Sequence, residues 1–303
     1  MSWETALDEK IRTYLPELVW LTDEPLAKHC SFRIGGPAKR MAVPVTTEQT
    51  VILSGLLLEA GVRSITLGNG TNILFPDEGL DAVVVATGEL SHIKRTGETE
   101  ISAEAGVSLS RLATFAWKDG LSGLEFAHGI PGSVGGGVVM NAGAYGGALS
   151  DVITEAVGLW NDGVRTLKTE ALKLSYRHSI FTEQPEAIVL RAVFRLEHGD
   201  GDAIRARMDE LMEKRKTSQP LEYPSAGSTF KRPEGHFAGA LIEQCGLKGT
   251  RVGGAEVSVK HAGFIINTGG ATCADVLGLI ELVQNRVLKE TGVTLEPEVR
   301  IVK

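Results

Sequence analysis

Between Gly129 and Gly147 the chain reads GIPGSVGGGVVMNAGAYGG, eight glycines in nineteen residues. Ordering glycine costs more backbone entropy than ordering any other residue, so a dense cluster in a folded chain needs a physical reason. Three exist: a flexible linker, a backbone passing through positive φ, or a backbone brought close to a ligand. Linkers are polar and rich in Gly, Ser and Pro, whereas Val134, Val138, Val139, Met140 and Tyr145 demand burial. The segment is therefore expected to be an ordered, packed loop lying close to something. GNGTN at 68–72, directly after the strand-like RSITL, has the same character. Two such loops from separate strands can present backbone N–H groups to one phosphate-bearing ligand. A tight turn packed under a helix accounts for the same residues.

Strand and helix patterns interleave along the whole chain, which places it in the α/β or α+β class with mixed sheets. Apolar spacing predicts an N-terminal helix over 5–22, interrupted at Pro16. A second helix is predicted over TTEQTVILSGLLLEA, with Thr46 or Thr47 as N-cap and Gly61 as its stop. Strands are expected at RSITL, AVVVATG, ISAEAG and AIVLRAVFRLEHG. EAVGLWNDGVRTLKT reads as a hairpin turning at Asn161-Asp162-Gly163. A charged helix over 202–216 is the natural joint between domains, and helices FAGALIEQCG and TCADVLGLIELVQNRVLKETG flank the strand GFIINTG. VTLEPEVRIV is expected to close the chain as a strand, with Glu296, Glu298 and Arg300 on one face.

Other classes fall away. No apolar run approaches the ~18 residues a membrane span needs, and MSWETALDEK lacks the basic-then-apolar order of a secretory signal. A cytoplasmic protein is expected. Cys30, Cys245 and Cys273 are odd in number and form no C-x-x-C pair, so they suggest neither a disulfide framework nor a metal site. A net charge of −7 argues against non-specific nucleic-acid binding. It leaves room for an anionic small substrate if local basic residues reverse the sign in one cleft. GNGTNI lacks the third glycine of G-x-G-x-x-G, no G-x-x-x-x-G-K-[ST] occurs, and G-x-S-x-G is absent. The residues by themselves support a phosphate or dinucleotide ligand on a non-Rossmann scaffold.

An ordered set of segments carries a resemblance: SFRIGGPA, LGNGTNIL, GLEFAHGIPGSVGGGVVMNAGAYG, SYRHSIF, SAGSTFKRPEG, AGALIEQCGLKG, GFIINTGGATCADV and LEPEVRIV. From about residue 28 to 302 the chain resembles the UDP-N-acetylenolpyruvoylglucosamine reductase family, flavoenzymes of bacterial peptidoglycan synthesis. The resemblance implies an α+β protein: a vanillyl-alcohol-oxidase (PCMH-type) FAD-binding fold of two α/β subdomains, followed by a C-terminal α+β substrate-binding domain. The expected boundaries are an N-terminal helical segment at 1–27, a flavin domain at 28–200 split near 88, and a substrate domain at 201–303.

The same resemblance implies non-covalent FAD. Its expected contacts are Arg33, the loop Gly68, Asn69, Gly70, Thr71 and Asn72, and, in the glycine cluster, Gly129, Ile130, Pro131, Gly132, Ser133, Gly135, Gly136, Asn141, Gly143, Ala144 and Tyr145. His29 and Cys30 are then structural. NADPH is the implied donor, and UDP-N-acetylglucosamine enolpyruvate the acceptor that becomes UDP-N-acetylmuramate. With no second dinucleotide fold, the two are expected to use one pocket in turn, in a monomeric protein.

Hydride delivery to the enolpyruvyl group builds negative charge on its carboxylate, so a positive group and an acid should face it. Arg177 in SYRHS offers a planar, permanently charged fork. Ser228 in AGSTF is the implied proton donor, and Glu298 in LEPE assists at the developing charge, with Glu296 and Arg300 supporting it. Tyr176, Lys231 and Arg232 are the implied substrate contacts, with Lys248 and Arg251 behind them. Family members often carry Asp at the position of His178, which receives no chemistry, and many carry Asn at that of Arg232. The short span from Arg177 to Ser228 leaves no room for the tyrosine-bearing insertion of some members and implies the compact subtype. The rivals are another non-covalent flavin oxidoreductase and a non-catalytic nucleotide-binding protein. Substrate-side GSTFKRP and LEPEVR speak against the first, and joint retention of Arg177, Ser228 and Glu298 against the second.

Overall fold

Helix ends form where the sequence supplies their caps. In the computed structural model, which describes residues 2–303, Thr46 Oγ1 accepts from Gln49 N at 3.1 Å and opens the helix Thr47–Ala60. Gly61 closes it in the left-handed region at φ +62°, where a Cβ would be unfavourable. Thr272 and Asp275 make a reciprocal capping box at the start of Cys273–Thr291, and Gly292 ends that helix at φ +73°.

By its contacts the chain forms two compact units. The first comprises Met1–Asp23, Lys39–Asn69 and Asp81–Glu213; the second comprises Glu24–Ala38, Gly70–Leu80 and Lys214–Lys303. The division is not the single joint near residue 200 that the charged helix suggests. Two segments, 24–38 and 70–80, belong with the C-terminal residues, and the helix Gly201–Ser218 runs across the boundary.

The first unit carries two large sheets and two short two-stranded ones. One large sheet orders its strands Val19–Pro25, Pro37–Val43, Leu80–Ala86 and Ser64–Leu67, the last two parallel with Ser64 opposite Val83. Helices Trp3–Tyr14 and Thr47–Ala60 bury Leu7, Ile11, Leu53 and Leu57 in one cluster with Val83 and Val85. Full burial of such side chains stabilises by about 1.5–3 kcal/mol each. The other large sheet is antiparallel, in the order Gly163–Lys168, Ile153–Trp160, Ile188–Arg195, Glu100–Glu104, Ile93–Arg95. Trp160 faces Gly163, so Asn161-Asp162 is a two-residue hairpin loop, as its turn chemistry predicts. Val134, Val138, Leu109 and Leu112, with Ile204, Met208 and Leu211 of the charged helix, pack into this sheet's core.

The second unit has an antiparallel sheet in the order Ser225–Ser228, Phe264–Asn267, Ala255–Val257, Arg251–Val252. Helix Cys273–Thr291 covers it, burying Val276, Leu279, Ile280, Val283 and Val287 at helical spacing. Asp77 accepts from Cys273 N at 2.7 Å and Ala274 N at 3.1 Å, fastening the 70–80 segment to that helix. All three cysteines are buried thiols, and burial pushes Cys273 up to about 11.

Three expectations need correction. The N-terminal helix stops at Tyr14, and Val19–Pro25 is an edge strand; Pro16 ends the helix rather than bending it, so 1–27 is not a helical segment. The glycine cluster is not all loop, because Val134–Val139 forms a short helix. The last strand is only Arg300–Ile301, parallel to Ile73–Leu74. Residues 296–298 belong to no named strand, and Pro297 forms an isolated antiparallel bridge with Phe230.

His128 and His261 both titrate below the ordinary histidine value, chiefly because burial disfavours their charged forms. Arg205 adds to the effect at His128 and Lys248 at His261; Asp209 and Glu243, respectively, oppose it. His261 Nδ1 also accepts from Gly263 N at 3.1 Å, a bond that protonation there would remove. Between these depressed values and about 6.5 the unfolded chain binds protons that the folded chain does not. Stability from these groups is thus full above that pH and declines as pH falls through the window. The denaturation midpoint in urea is expected to be lower at pH 5.5 than at pH 7.5, with a smaller difference in His261→Gln. An equal midpoint at both values would contradict this.

Candidate active site

The two glycine loops meet within the first unit. Asn69 Nδ2 donates to Pro131 O at 3.1 Å. A Cβ at Gly68 would lie 2.5 Å from Ser133 Oγ, so a side chain there would displace that hydroxyl. Ser133 caps the short helix, yet that helix's first amides are already engaged. Val134 N donates to Val107 O and Gly135 N to Ala105 O, both at 2.8 Å, and Gly136 N to Ser133 Oγ at 3.4 Å. Gly135 is a packing glycine, since its Cβ would sit 2.9 Å from that of Ala105. Gly136 is exposed, with only Ser133 Oγ near it. Further on, Ala144 faces Gly147, leaving Tyr145-Gly146 as a two-residue turn with φ +55° and +89°. Gly143 lies flat against that turn's return strand, where a Cβ would come 2.6 Å from Gly147 O. Ile130 packs against the core.

Six non-glycine residues adopt φ between +41° and +57°: Asp23, Arg33, Asn141, Tyr145, Lys173 and Arg177. Four of them are residues that the resemblance singles out for cofactor or substrate. Left-handed non-glycine residues are uncommon and gather where function holds the backbone in place.

Arg177 sits third in a tight turn. Ser175 and His178 exchange N–H···O bonds, both 3.2 Å, with Tyr176 and Arg177 between them. The guanidinium lies 5.6 Å from the centroid of the exposed Tyr176 ring. His178 Nδ1 is 3.0 Å from Lys173 O and its Nε2 is 3.3 Å from Glu183, so this imidazole braces the turn. On the other side, Asn141 Nδ2 donates to Ser175 O at 3.1 Å and Ser179 Oγ to Val139 O at 2.7 Å. Both amide hydrogens of Asn141 are therefore engaged within the protein.

The second unit assembles segments from four parts of the chain. Ser31 N donates to Gly70 O at 3.0 Å and Ser31 Oγ to Ser225 O at 2.6 Å. Gly70 has φ +61°, and a Cβ there would lie 2.1 Å from His29 O, so glycine is required. Asn72 Nδ2 donates to Glu298 O at 3.2 Å while Arg300 N donates to Asn72 O at 3.1 Å. On its other side the 296–299 segment meets the serine loop: Glu298 N donates to Thr229 O at 2.7 Å and Lys231 N to Glu296 O at 2.9 Å. Ser228 and Glu298 are thereby neighbours through Thr229, and Thr71 lies in the same assembly. Arg33 is exposed at φ +57°.

The expected supporting roles shift accordingly. Glu296 is exposed and pairs with Lys231 Nζ at 3.1 Å, while the Arg232 guanidinium stacks 4.3 Å from the Phe237 ring centroid. Lys248 and Arg251 pair with Glu243 and Glu256. Two residues that the sequence reading missed hold the assembly. Thr229 Oγ1 accepts from Ile265 N at 3.0 Å, and buried Asn267 donates to Phe32 O at 3.1 Å. The signal for Asn267 is a polar residue closing the apolar strand Phe264–Asn267.

Comparison with known proteins agrees over nearly the whole chain. Residues 219–302 match the family model for the UDP-N-acetylenolpyruvoylglucosamine reductase C-terminal domain, and residues 38–166 match an FAD binding domain. A UDP-N-acetylenolpyruvoylglucosamine reductase of Caldanaerobacter subterraneus subsp. tengcongensis is 48% identical over 98% of both chains. One from Clostridium novyi is 50% identical over 91% of this chain and 90% of its own. The crystal structure of the Thermus caldophilus UDP-N-acetylenolpyruvylglucosamine reductase superposes with TM-score 0.80 at 34% identity, covering 95% of this chain and 99% of that one. Alkyldihydroxyacetonephosphate synthase, at 15% identity and TM-score 0.51 over 64% of this chain and 40% of its own, shares the fold alone.

Proposed function

The chain belongs to the UDP-N-acetylenolpyruvoylglucosamine reductase family, and from that premise we propose how its own residues carry the reaction. It is an FAD-dependent oxidoreductase that uses NADPH to reduce UDP-N-acetylglucosamine enolpyruvate to UDP-N-acetylmuramate in peptidoglycan synthesis. The PCMH-type flavin fold accompanies that activity.

The residues present suit a dinucleotide. Neither 68–72 nor 129–136 contains an Asp or Glu, and Gly68 and Gly136 keep side chains off the backbone around Ser133. Gly68, Asn69, Gly132 and Ser133 would hold the diphosphate of FAD, and Gly129 to Pro131, Gly136 and Gly143 to Tyr145 would contact the rest of the cofactor. Arg33, Gly70, Thr71 and Asn72 complete the set. Gly135 supports it by packing. Bound FAD, once reduced by NADPH, supplies the hydride.

The protein supplies charge and a proton. Arg177 holds the substrate carboxylate and takes up the negative charge that grows on it during reduction. Ser228 gives its hydroxyl proton to the carbon next to the one reduced. Glu298 assists at the same developing charge. The observation that carries this reading is Glu298 N on Thr229 O at 2.7 Å, which makes neighbours of two motifs 70 residues apart. Tyr176, Lys231 and Arg232 are assigned to the UDP-sugar. From Arg177 to Ser228 the elements are Ile180–Glu183, Ile188–Arg195, Glu197–His198, Gly201–Ser218 and Ser225–Ser228, in keeping with the compact subtype.

NADPH and substrate use one pocket in turn in a monomeric, cytoplasmic enzyme. No helix is long and apolar enough to cross a membrane among the described residues. Steady-state kinetics with both substrates varied are expected to give parallel double-reciprocal lines. Intersecting lines would replace the shared pocket with a ternary complex. Anaerobic addition of NADPH is expected to bleach the flavin bands, and the enolpyruvyl substrate to restore them. Bleaching without return would discard the substrate assignment.

A further inference from the structure

We propose that Asn141 is a positioning residue for Arg177, so that the end of the glycine-rich segment acts on substrate recognition through the 175–178 turn. The inference rests on Arg177 meeting the substrate carboxylate. Asn141 is only 7% exposed, and its amide group is engaged from both ends. Nδ2 donates to Ser175 O at 3.1 Å and to Ser150 Oγ at 3.3 Å, while Oδ1 accepts from Ser150 N at 2.9 Å. The backbone donor at Ser150 and the carbonyl acceptor at Ser175 settle which end is oxygen and which nitrogen. Both amide hydrogens are in use, so this side chain has no donor left for a cofactor.

Ser175 O is the carbonyl at the head of the turn that carries Arg177. A second fastening, Ser179 Oγ to Val139 O at 2.7 Å, catches the chain just beyond the turn. The two bonds tie residues 139 and 141 to residues 175 and 179, one on each side of Arg177. Held at both ends, the turn keeps Arg177 at φ +55°, a conformation that a free chain would leave for the β or right-handed region. Asn141 itself stands at φ +41°. Asparagine tolerates that region better than other polar side chains, and it also supplies the carboxamide.

Asn141→Gly keeps the backbone conformation accessible and removes the carboxamide. Asn141→Asp keeps the shape and sets an oxygen against Ser175 O. In the FAD-loaded enzyme both are expected to hold FAD and to be reduced by NADPH within about twofold of the parent. Reduction of the enolpyruvyl substrate is expected to slow by about 10–100-fold, the scale of a misplaced positioning contact, with a raised KM. In Arg177→Ala, adding Asn141→Gly is expected to cost nothing further, because the turn then has nothing left to position. A tenfold loss of FAD affinity, unchanged substrate reduction, or losses that add in the double variant would each overturn the proposal. Should Asn141→Gly fail to fold, Asn141→Asp gives the same readings. If Arg177→Ala alone leaves substrate reduction intact, the role of Arg177 falls and this inference with it. If Arg177→Ala is slow and Asn141→Gly is not, only the inference falls.

Discussion

Ser228→Ala in the FAD-loaded protein is expected to leave reduction by NADPH intact and to slow reduction of the enolpyruvyl substrate by about 10²–10⁴-fold, the usual range for a lost general acid. The local structure makes this a clean substitution. Ser228 is half-buried at the end of its strand, opposite Phe264, and alanine there removes one oxygen without adding volume. Thr229, next to it, is buried, and its hydroxyl oxygen is held by Ile265 N. The fold should change little, by about 0.5 kcal/mol or less, as for substitutions away from core and caps. Stopped-flow measurement of the two half-reactions separates the cases. Unchanged substrate reduction removes Ser228 from the mechanism. Loss of both half-reactions assigns it to cofactor binding instead.

Arg177→Gly is expected to lose substrate reduction by about 10²–10³-fold, as when a preorganised charge-stabilising donor is removed, while the protein becomes no less stable. Arg177 occupies the third position of its turn at φ +55°, where glycine is the favoured residue. Relief of the left-handed backbone contributes about 1–2 kcal/mol in favour of the variant. Loss of its contact with the Tyr176 ring, 5.6 Å to the centroid, and of its other polar contacts offsets part of that. Arg177→Lys keeps both the strain and the charge but not the planar fork, so its activity should fall between the two. Urea denaturation and substrate kinetics on the three proteins test the argument. A large loss of stability in Arg177→Gly, in step with its loss of activity, would make Arg177 a structural residue.

Much of this was legible locally. The caps Thr46 and Gly61, the hairpin turn after Trp160 and the helix over TCADVLGLIELVQNRVLKETG rest on signals a few positions apart, and the structure has each as the sequence reading expected. The eight segments that carried the family resemblance are likewise patterns within short windows, and comparison with known proteins bears that resemblance out. The reading went astray where one local signal had two meanings. Apolar spacing over 5–22 fits a helix, but Pro16 divides it into a helix and an edge strand. LEPEVRIV alternates like a strand, but only Arg300–Ile301 of it pairs in a sheet, with Pro297 in an isolated bridge to Phe230.

The sequence by itself determined which residues could turn, cap and pack, and through its motifs the family and its chemistry. These properties reside in a side chain and its near neighbours along the chain. Only the tertiary structure decided what each polar group was for. Asn141 serves Ser175, 34 residues away. Ser31 reaches Ser225 across 194 residues, and Asn72 reaches Glu298 across 226. A hydrogen bond forms wherever folding leaves a donor 3 Å from an acceptor. Nothing in the short stretch around either partner marks that meeting, because the distance is set by the packing of every element between them.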